Sequence, residues 1–281
     1  MDVSRSIELG IVSAAAAIVG SMLGLGGGVF LVPIFTLFFG VDQKVAIGAS
    51  AVAVVTNSVV GSSVHLRSRF TNLRLAMLFQ IPTASGAIVG ALIGASAPER
   101  IVNAVFGAVL TYAAVSMAMQ RQAAIAGAEG VPDTQRLGAE YHDPATQKTI
   151  RYVPTRLPLG LGVSGFAGVI SGMLGVGGGV IQVPAMNLMM RVPVKAAAGT
   201  SAFMVGITSV ATASVYYSRE KIDPTVVVPA MVGIFLGSQF GSRLTRRVRA
   251  QRLVLVFVVI LLYLGGSLLL KAAGVDIPWQ K

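Results

Sequence analysis

The sequence predicts an all-α polytopic membrane protein made of two inverted repeats, each a re-entrant, glycine-broken helical hairpin followed by three transmembrane helices. Three observations carry that prediction. Of the 281 residues, 54% are hydrophobic and only 12% are charged, about half the charged share of an ordinary soluble domain. The apolar runs between the charges are long enough to cross a hydrocarbon core ~30 Å thick. The chain also matches itself at a shift of 151 residues, and each copy opens on an apolar stretch interrupted by a glycine cluster.

The repeat is legible residue by residue. Met22-Leu-Gly-Leu-Gly-Gly-Gly-Val29 falls on Met173-Leu-Gly-Val-Gly-Gly-Gly-Val180, and Pro33, Lys44, Gly48 and Ser50 fall on Pro184, Lys195, Gly199 and Ser201. Further on, a four-residue change of register aligns Pro82 with Pro229, and Gly86, Gly90 and Gly94 with Gly233, Gly237 and Gly241. The membrane repeats are placed at 1–120 and 158–281, joined by a polar linker over 121–157.

Each repeat begins with its broken stretch, 7–39 or 158–190. Arg5 and the small residues Ala14 to Ala17 give the first run the look of a signal peptide, but its copy inside the chain argues against cleavage. Three runs of spanning length follow, at about 44–66, 72–96 and 100–120 in the first repeat and about 195–216, 224–242 and 252–270 in the second. In the linker, Tyr141 to Tyr152 reads as a short β-hairpin around an Asp143-Pro144 turn.

Charge sets the topology, because short loops rich in Lys and Arg stay in the cytoplasm. Arg67, Arg69 and Arg74 separate the second and third pieces of the first repeat, whereas Arg243, Arg246, Arg247, Arg249 and Arg252 separate the third and last pieces of the second. Those loops are not equivalent. Both face the cytoplasm only if the repeats are inverted and the broken stretch crosses an even number of times. Roughly 16 apolar residues, a break and roughly 11 more describe a helical hairpin that dips in and returns. Both termini are then external and the linker cytoplasmic, in a multi-pass protein of the inner, cytoplasmic membrane.

A helix broken within lipid is costly unless its freed backbone groups are buried in protein or face a wet cavity. The candidate binding residues are therefore Gly24, Gly26, Gly27 and Gly28 in the first break and Gly175, Gly177, Gly178 and Gly179 in the second. Half-helix N-termini carry unpaired N–H donors and a partial positive charge, so two of them meeting near the midplane form an anion site. Packing is the alternative, since small residues let membrane helices approach closely. On the helix that follows, Ser50 and Asn57, and likewise Ser201 and Thr208, lie seven apart on one face and are expected to point inward. Thr56, Ser58, Thr200, Ser209, Gln80 and Gln182 offer further hydrogen bonds, or bond to neighbouring helices and their own backbone. Lys44 and Lys195, at equivalent helix starts, either draw anions into vestibules on opposite faces or anchor the helices by snorkelling.

A net charge of +11 would suggest nucleic acid as a partner in a soluble chain. Here the basic residues flank apolar spans, and the expected partners are the lipid bilayer and a small anionic substrate, with no nucleic acid. With no cysteine, no His-Glu-x-x-His pattern and only two histidines, no metal, cofactor or catalytic residue is expected, and the chain is read as no enzyme. Neither glycine cluster fits G-x-G-x-x-G or a nucleotide loop. His65 reads as an interfacial side chain, and no charged residue lies deep enough in a span to relay protons. A homo-oligomer stays open.

The motifs Leu23-Gly-Leu-Gly-Gly-Gly-Val29 and Leu174-Gly-Val-Gly-Gly-Gly-Val180, each followed by a proline and a Lys-x-Ala-x-Gly-x-Ser stretch, resemble the TauE/SafE family of sulfite exporters. The resemblance covers both halves and leaves out the linker. It implies a multi-span transporter exporting sulfite, sulfoacetate or a related sulfonate, with the glycine motifs, Ser50 and Ser201 as the binding region. The competing readings are an anion channel or generic small-anion permease and, from other classes, a membrane-embedded enzyme or a scaffold that uses the linker to hold a partner.

Overall fold

A computed structural model describes residues 3–23, 26–67, 70–120, 137–143, 147–244 and 250–274. The first repeat supplies helices α1 (Val3–Leu23), α2 (Gly28–Leu37), α3 (Gln43–Arg67), α4 (Leu73–Ser96) and α5 (Glu99–Gln120). A hairpin of β1 (Ala139–Asp143) and β2 (Lys148–Tyr152) follows, then α6 (Leu157–Leu174), α7 (Gly179–Pro184), α8 (Val194–Ser218), α9 (Pro224–Leu244) and α10 (Ala250–Ala272). The fold is thus all-α apart from the hairpin. Among the described residues, α3, α4, α5, α6, α8 and α9 are long and apolar enough to cross a membrane.

The two repeats keep a single offset throughout. Helices α2, α3 and α4 begin 151 residues before α7, α8 and α9, respectively. The four-residue change of register expected in the third piece is therefore absent. Glycines spaced one turn apart match themselves when slid by one turn, so Gly86 and Gly90 also fall on Gly237 and Gly241 at the constant shift. The matches of Pro82 with Pro229 and of Gly94 with Gly241 favoured the slip, and at the constant shift each falls about one turn from its partner.

The arms entering the breaks are longer than expected, with 21 residues in α1 and 18 in α6. In α1 the polar turn before the apolar run joins the helix. The returning arms are short, with 10 residues in α2 and 6 in α7. Pro184 has no N–H to give the ladder, and α7 passes directly into a π-helical turn, Ala185–Met189.

Helices pair across the repeats, α4 with α6 and α1 with α9. A methyl group on Gly90 would lie 1.8 Å from the Val169 carbonyl oxygen, and one on Gly172 would lie 1.9 Å from that of Ala87. The mirror pair repeats this closeness, with Gly233 on Gly10 at 2.0 Å and Gly237 on Ala14 at 2.2 Å. Lipid supplies no hydrophobic drive between helices, so backbone proximity and van der Waals contact hold these pairs. Residue numbers rise together along both, and each pair is parallel. By contrast, Gly107 faces Gly265 and Leu269 while the Arg100 Nε donates to the Ala272 carbonyl at 2.7 Å. The equivalent helices α5 and α10 therefore run antiparallel.

The hairpin pairs Ala139 with Tyr152 and Asp143 with Lys148, two residues longer than expected, and its Pro144 turn lies outside the described residues. It docks where α3 passes into α4. Tyr141 meets Phe70 edge to face with ring centroids 5.2 Å apart. Asn72 donates from Nδ2 to the Leu137 carbonyl and caps α4 by accepting from the Leu75 N–H. Burial pushes the Tyr152 phenol up to about 12, against the lowering effect of its hydrogen bond with Asn72.

Candidate functional site

Both breaks turn on glycines in the left-handed region. Gly26 and Gly27 have φ of 83° and 77°, and Gly177 and Gly178 have 83° and 84°, a conformation open to glycine and strained for other residues. The Gly27 carbonyl accepts from the N–H groups of Phe30 and Leu31, and the Gly178 carbonyl from those of Ile181 and Gln182. The N–H groups of Gly28, Val29, Gly179 and Val180 make no hydrogen bond among the described residues. These are helix-start donors, which need a partner from elsewhere, and all four residues are buried.

The breaks converge. A methyl group on Gly26 would fall 2.8 Å from Val205 and 3.0 Å from Val54, and one on Gly177 would fall 2.5 Å and 3.1 Å from the same two side chains. Val54 and Val205 are themselves equivalent, so the meeting point is the crossing of α3 and α8. The Ser50 hydroxyl adds a polar tie, donating to the Gly175 carbonyl at 3.0 Å.

Ser201 is fully buried, like Ser50. Asn57 and Thr208 also lie inside the bundle, but both bond to neighbouring helices. Asn57 accepts from the Ser238 hydroxyl on α9, whereas Thr208 accepts from the Gln80 Nε2 on α4 and donates to the Met204 carbonyl. Lys44 and Lys195 stand half-buried at the starts of α3 and α8. Those starts lie at opposite ends of the bundle, because α3 and α8 cross with Ser58 against Ala202 and run antiparallel. Gly24 lies outside the described residues, as does the side chain of His65.

Two residues escaped the reading of the sequence, Ser171 and Thr83. Gln182 donates from Nε2 to the Thr83 hydroxyl at 3.2 Å, and Ser171 Cβ stands 3.4 Å from where a Gly178 side chain would begin. The available signal was a comparison of the two copies, since Ser171 replaces Gly20 and Gln182 replaces Leu31.

Membrane-spanning helices paired through glycine, enclosing two buried breaks that meet, define a multi-pass membrane protein of the transporter class. The family model for the sulfite exporter TauE/SafE matches residues 9–268, and the chain belongs to that family. It is 23% identical over 273 residues to the probable membrane transporter protein YunE of Bacillus subtilis (strain 168), covering 94% of this chain and 97% of that one. A probable membrane transporter protein of Xylella fastidiosa (strain 9a5c) is 28% identical over 242 residues, covering 85% of each chain. The probable membrane transporter protein MJ0441 of Methanocaldococcus jannaschii is 24% identical over 275 residues, covering 92% of this chain and 94% of that one. No solved structure matches the chain.

Proposed function

We propose that this chain exports a small sulfur-containing anion, sulfite, sulfoacetate or a related sulfonate, across the cytoplasmic membrane, holding it where the two breaks meet. The observation that carries this reading is the pair of helix starts with unpartnered N–H groups at Gly28, Val29, Gly179 and Val180. Each such end carries about half a positive charge, and the donors sit where water is scarce. Lys44 and Lys195 serve the two vestibules, and no chemical step is part of the function.

The antiparallel run of α5 and α10 supports inverted repeats. On that arrangement the end of α3 and the start of α4 share one end of the bundle with the hairpin and with the end of α9, so the arginine-rich connections read from the sequence fall on one side of the membrane. The positive-inside rule makes that end cytoplasmic. Expelling one negative charge from an interior negative by 100 mV is downhill by about 2.3 kcal/mol, so export needs no buried proton relay. The described residues of both breaks are buried, and on this reading entry or release requires one broken arm to move against the other repeat.

Flux from proteoliposomes tests the reading. Saturable efflux of sulfite or a small sulfonate under an outward-favouring potential is the expected result. If none of these anions moves, the substrate assignment fails, and conductance without saturation makes the protein a channel.

A further inference from the structure

The two breaks differ in polarity. Gln80 and Thr83 on α4, Ser171 on α6, Gln182 on α7, and Thr208 and Ser209 on α8 surround the second. At the first, the equivalent positions are Met231, Ile234, Gly20, Leu31, Asn57 and Ser58. Four polar side chains thus have no polar counterpart.

The six are contiguous. A methyl group on Gly177 would lie 3.1 Å from the Ser209 Oγ, and one on Gly178 would lie 3.6 Å from the Gln182 Nε2. The Gln182 Nε2 reaches the Thr83 Oγ1 at 3.2 Å, and one turn earlier on α4 the Gln80 Nε2 reaches the Thr208 Oγ1 at 3.3 Å. Four buried atoms of this cluster have no partner among the described residues: the hydroxyl oxygens of Ser171 and Ser209 and the amide oxygens Oε1 of Gln80 and Gln182. Ser171, Gln182 and Ser209 are 0%, 1% and 1% exposed. At the first break the Ser58 hydroxyl is already bonded to the Ala202 carbonyl. Gly20 there presses so close to Gly27, 2.3 Å from a methyl group's position, that no side chain fits.

The hydrogen-bond network decides which glutamine atoms are free. Thr83 gives its one hydroxyl hydrogen to the Phe79 carbonyl, and Thr208 gives its own to that of Met204. Each threonine oxygen can then only accept, so each glutamine presents nitrogen to it and leaves oxygen unpaired. Two buried acceptors therefore await a donor, beside two hydroxyls that can give a hydrogen bond.

We infer that, where the two breaks meet, the ligand's charged head takes its side-chain contacts from the second break, as an oxyanion that still carries a hydrogen-bond donor. This rests on the anion-transport reading above. A fully ionised oxyanion only accepts, and it would set its oxygens against the two amide oxygens. A donor-bearing ligand gives its hydrogen to Gln80 or Gln182 while its other oxygens accept from Ser171 and Ser209. The O–H of an acid anion and the N–H of an amino-substituted sulfonate satisfy the same chemistry.

The cluster itself contains no titratable side chain. The titratable groups on α4, α6, α7 and α8 are Arg74, Lys195, Tyr217 and Tyr216, the last donating to the Met173 carbonyl. Those on α3 and α5, packed against them, are Lys44, His65, Arg67, Glu99, Arg100 and Tyr112.

Proteoliposomes carrying the full chain test the inference with three probes. Sulfite is followed across the range in which its hydrogen form gives way to the dianion, beside 2-aminoethanesulfonate and methanesulfonate, which has charge and oxygens but no donor. The expected sulfite flux follows the hydrogen form. Methanesulfonate should move about tenfold more slowly than a donor-bearing probe, which is what one buried hydrogen bond is worth, and Gln182→Leu should abolish that preference. Whichever donor-bearing probe is faster identifies the donor as O–H or N–H. Ser209→Ala, at a hydroxyl with no partner among the described residues, should lose about tenfold of flux with an unchanged melting temperature. Ser13→Ala, equally buried and unpaired on α1, should transport normally. Equal flux of methanesulfonate and hydrogen sulfite, flux that follows the dianion, or full flux in Ser209→Ala overturns the inference. Absence of flux with every probe overturns the transport reading beneath it.

Discussion

The Ser50 hydroxyl on α3 donates to the Gly175 carbonyl at the end of α6, 3.0 Å away, so a side chain of the first repeat closes the chain break of the second. Ser50→Ala would leave that carbonyl unpaired in a buried site, at a cost of about 1–3 kcal/mol. Thermal unfolding in detergent should show a lower midpoint. An unchanged midpoint would mean the bond contributes nothing to holding the repeats together.

Alanine at neighbouring glycines of one break should give different defects. At Gly27 the nearest atoms to a new methyl group are 3.7 Å away, so the main penalty is the φ of 77°, about 1–2 kcal/mol. Gly27→Ala should remain folded with weakened flux. At Gly28 a methyl group would meet the Gly175 carbonyl oxygen, the Ser50 Oγ and Val54, each at 2.8 Å. Gly28→Ala should push the two breaks apart and lose the monodisperse peak in size-exclusion chromatography. The reverse order of severity would show that the breaks do not touch as described.

The glycine stripes between helices should be still less tolerant. Gly90→Ala drives a methyl group into the Val169 carbonyl, whereas Gly162→Ala on α6 meets nothing within 4 Å. The first should abolish folded protein. The second should raise the unfolding midpoint, because alanine is favoured over glycine inside a helix by about 1 kcal/mol.

Docking of the hairpin should depend on alkaline pH. Tyr152 ionises near 10 when free and near 12 when docked, so the neutral phenol is favoured by the docked state. Its stabilising contribution is complete below pH 10 and is lost as pH rises through 12. Protease cleavage within 121–157 should therefore accelerate over that interval, and Tyr152→Phe, which cannot ionise, should remove the acceleration.

The spans and both breaks were legible in the sequence because their signals are local. A run without charge marks a span, and glycine before a short apolar run with a proline marks a break. Register in the third piece was not legible, since a glycine every fourth residue on α4 and α9 allows two alignments one turn apart, and the wrong one matches more residues. Ser50 was found at the breaks, but its bond to Gly175 could not be read, because it joins two segments distant in sequence. Asn57 and Thr208 shared a spacing with no hint that their partners would be Ser238 and Gln80. Ser171 and Thr83 were passed over because serine and threonine in membrane helices usually bond their own backbone, and Thr83 does so as well.

The exchange of partners between repeats constrains how the chain is made. Helix α1 rests on α9 and α4 on α6, so the first half leaves the ribosome with the close-packing faces of α1 and α4 bare. Its α1 must wait in the bilayer until almost the whole chain has been synthesised. Two halves expressed as separate polypeptides carry every complementary face between them, and co-expression should let them find one another, whereas either half alone remains a substrate for membrane quality control.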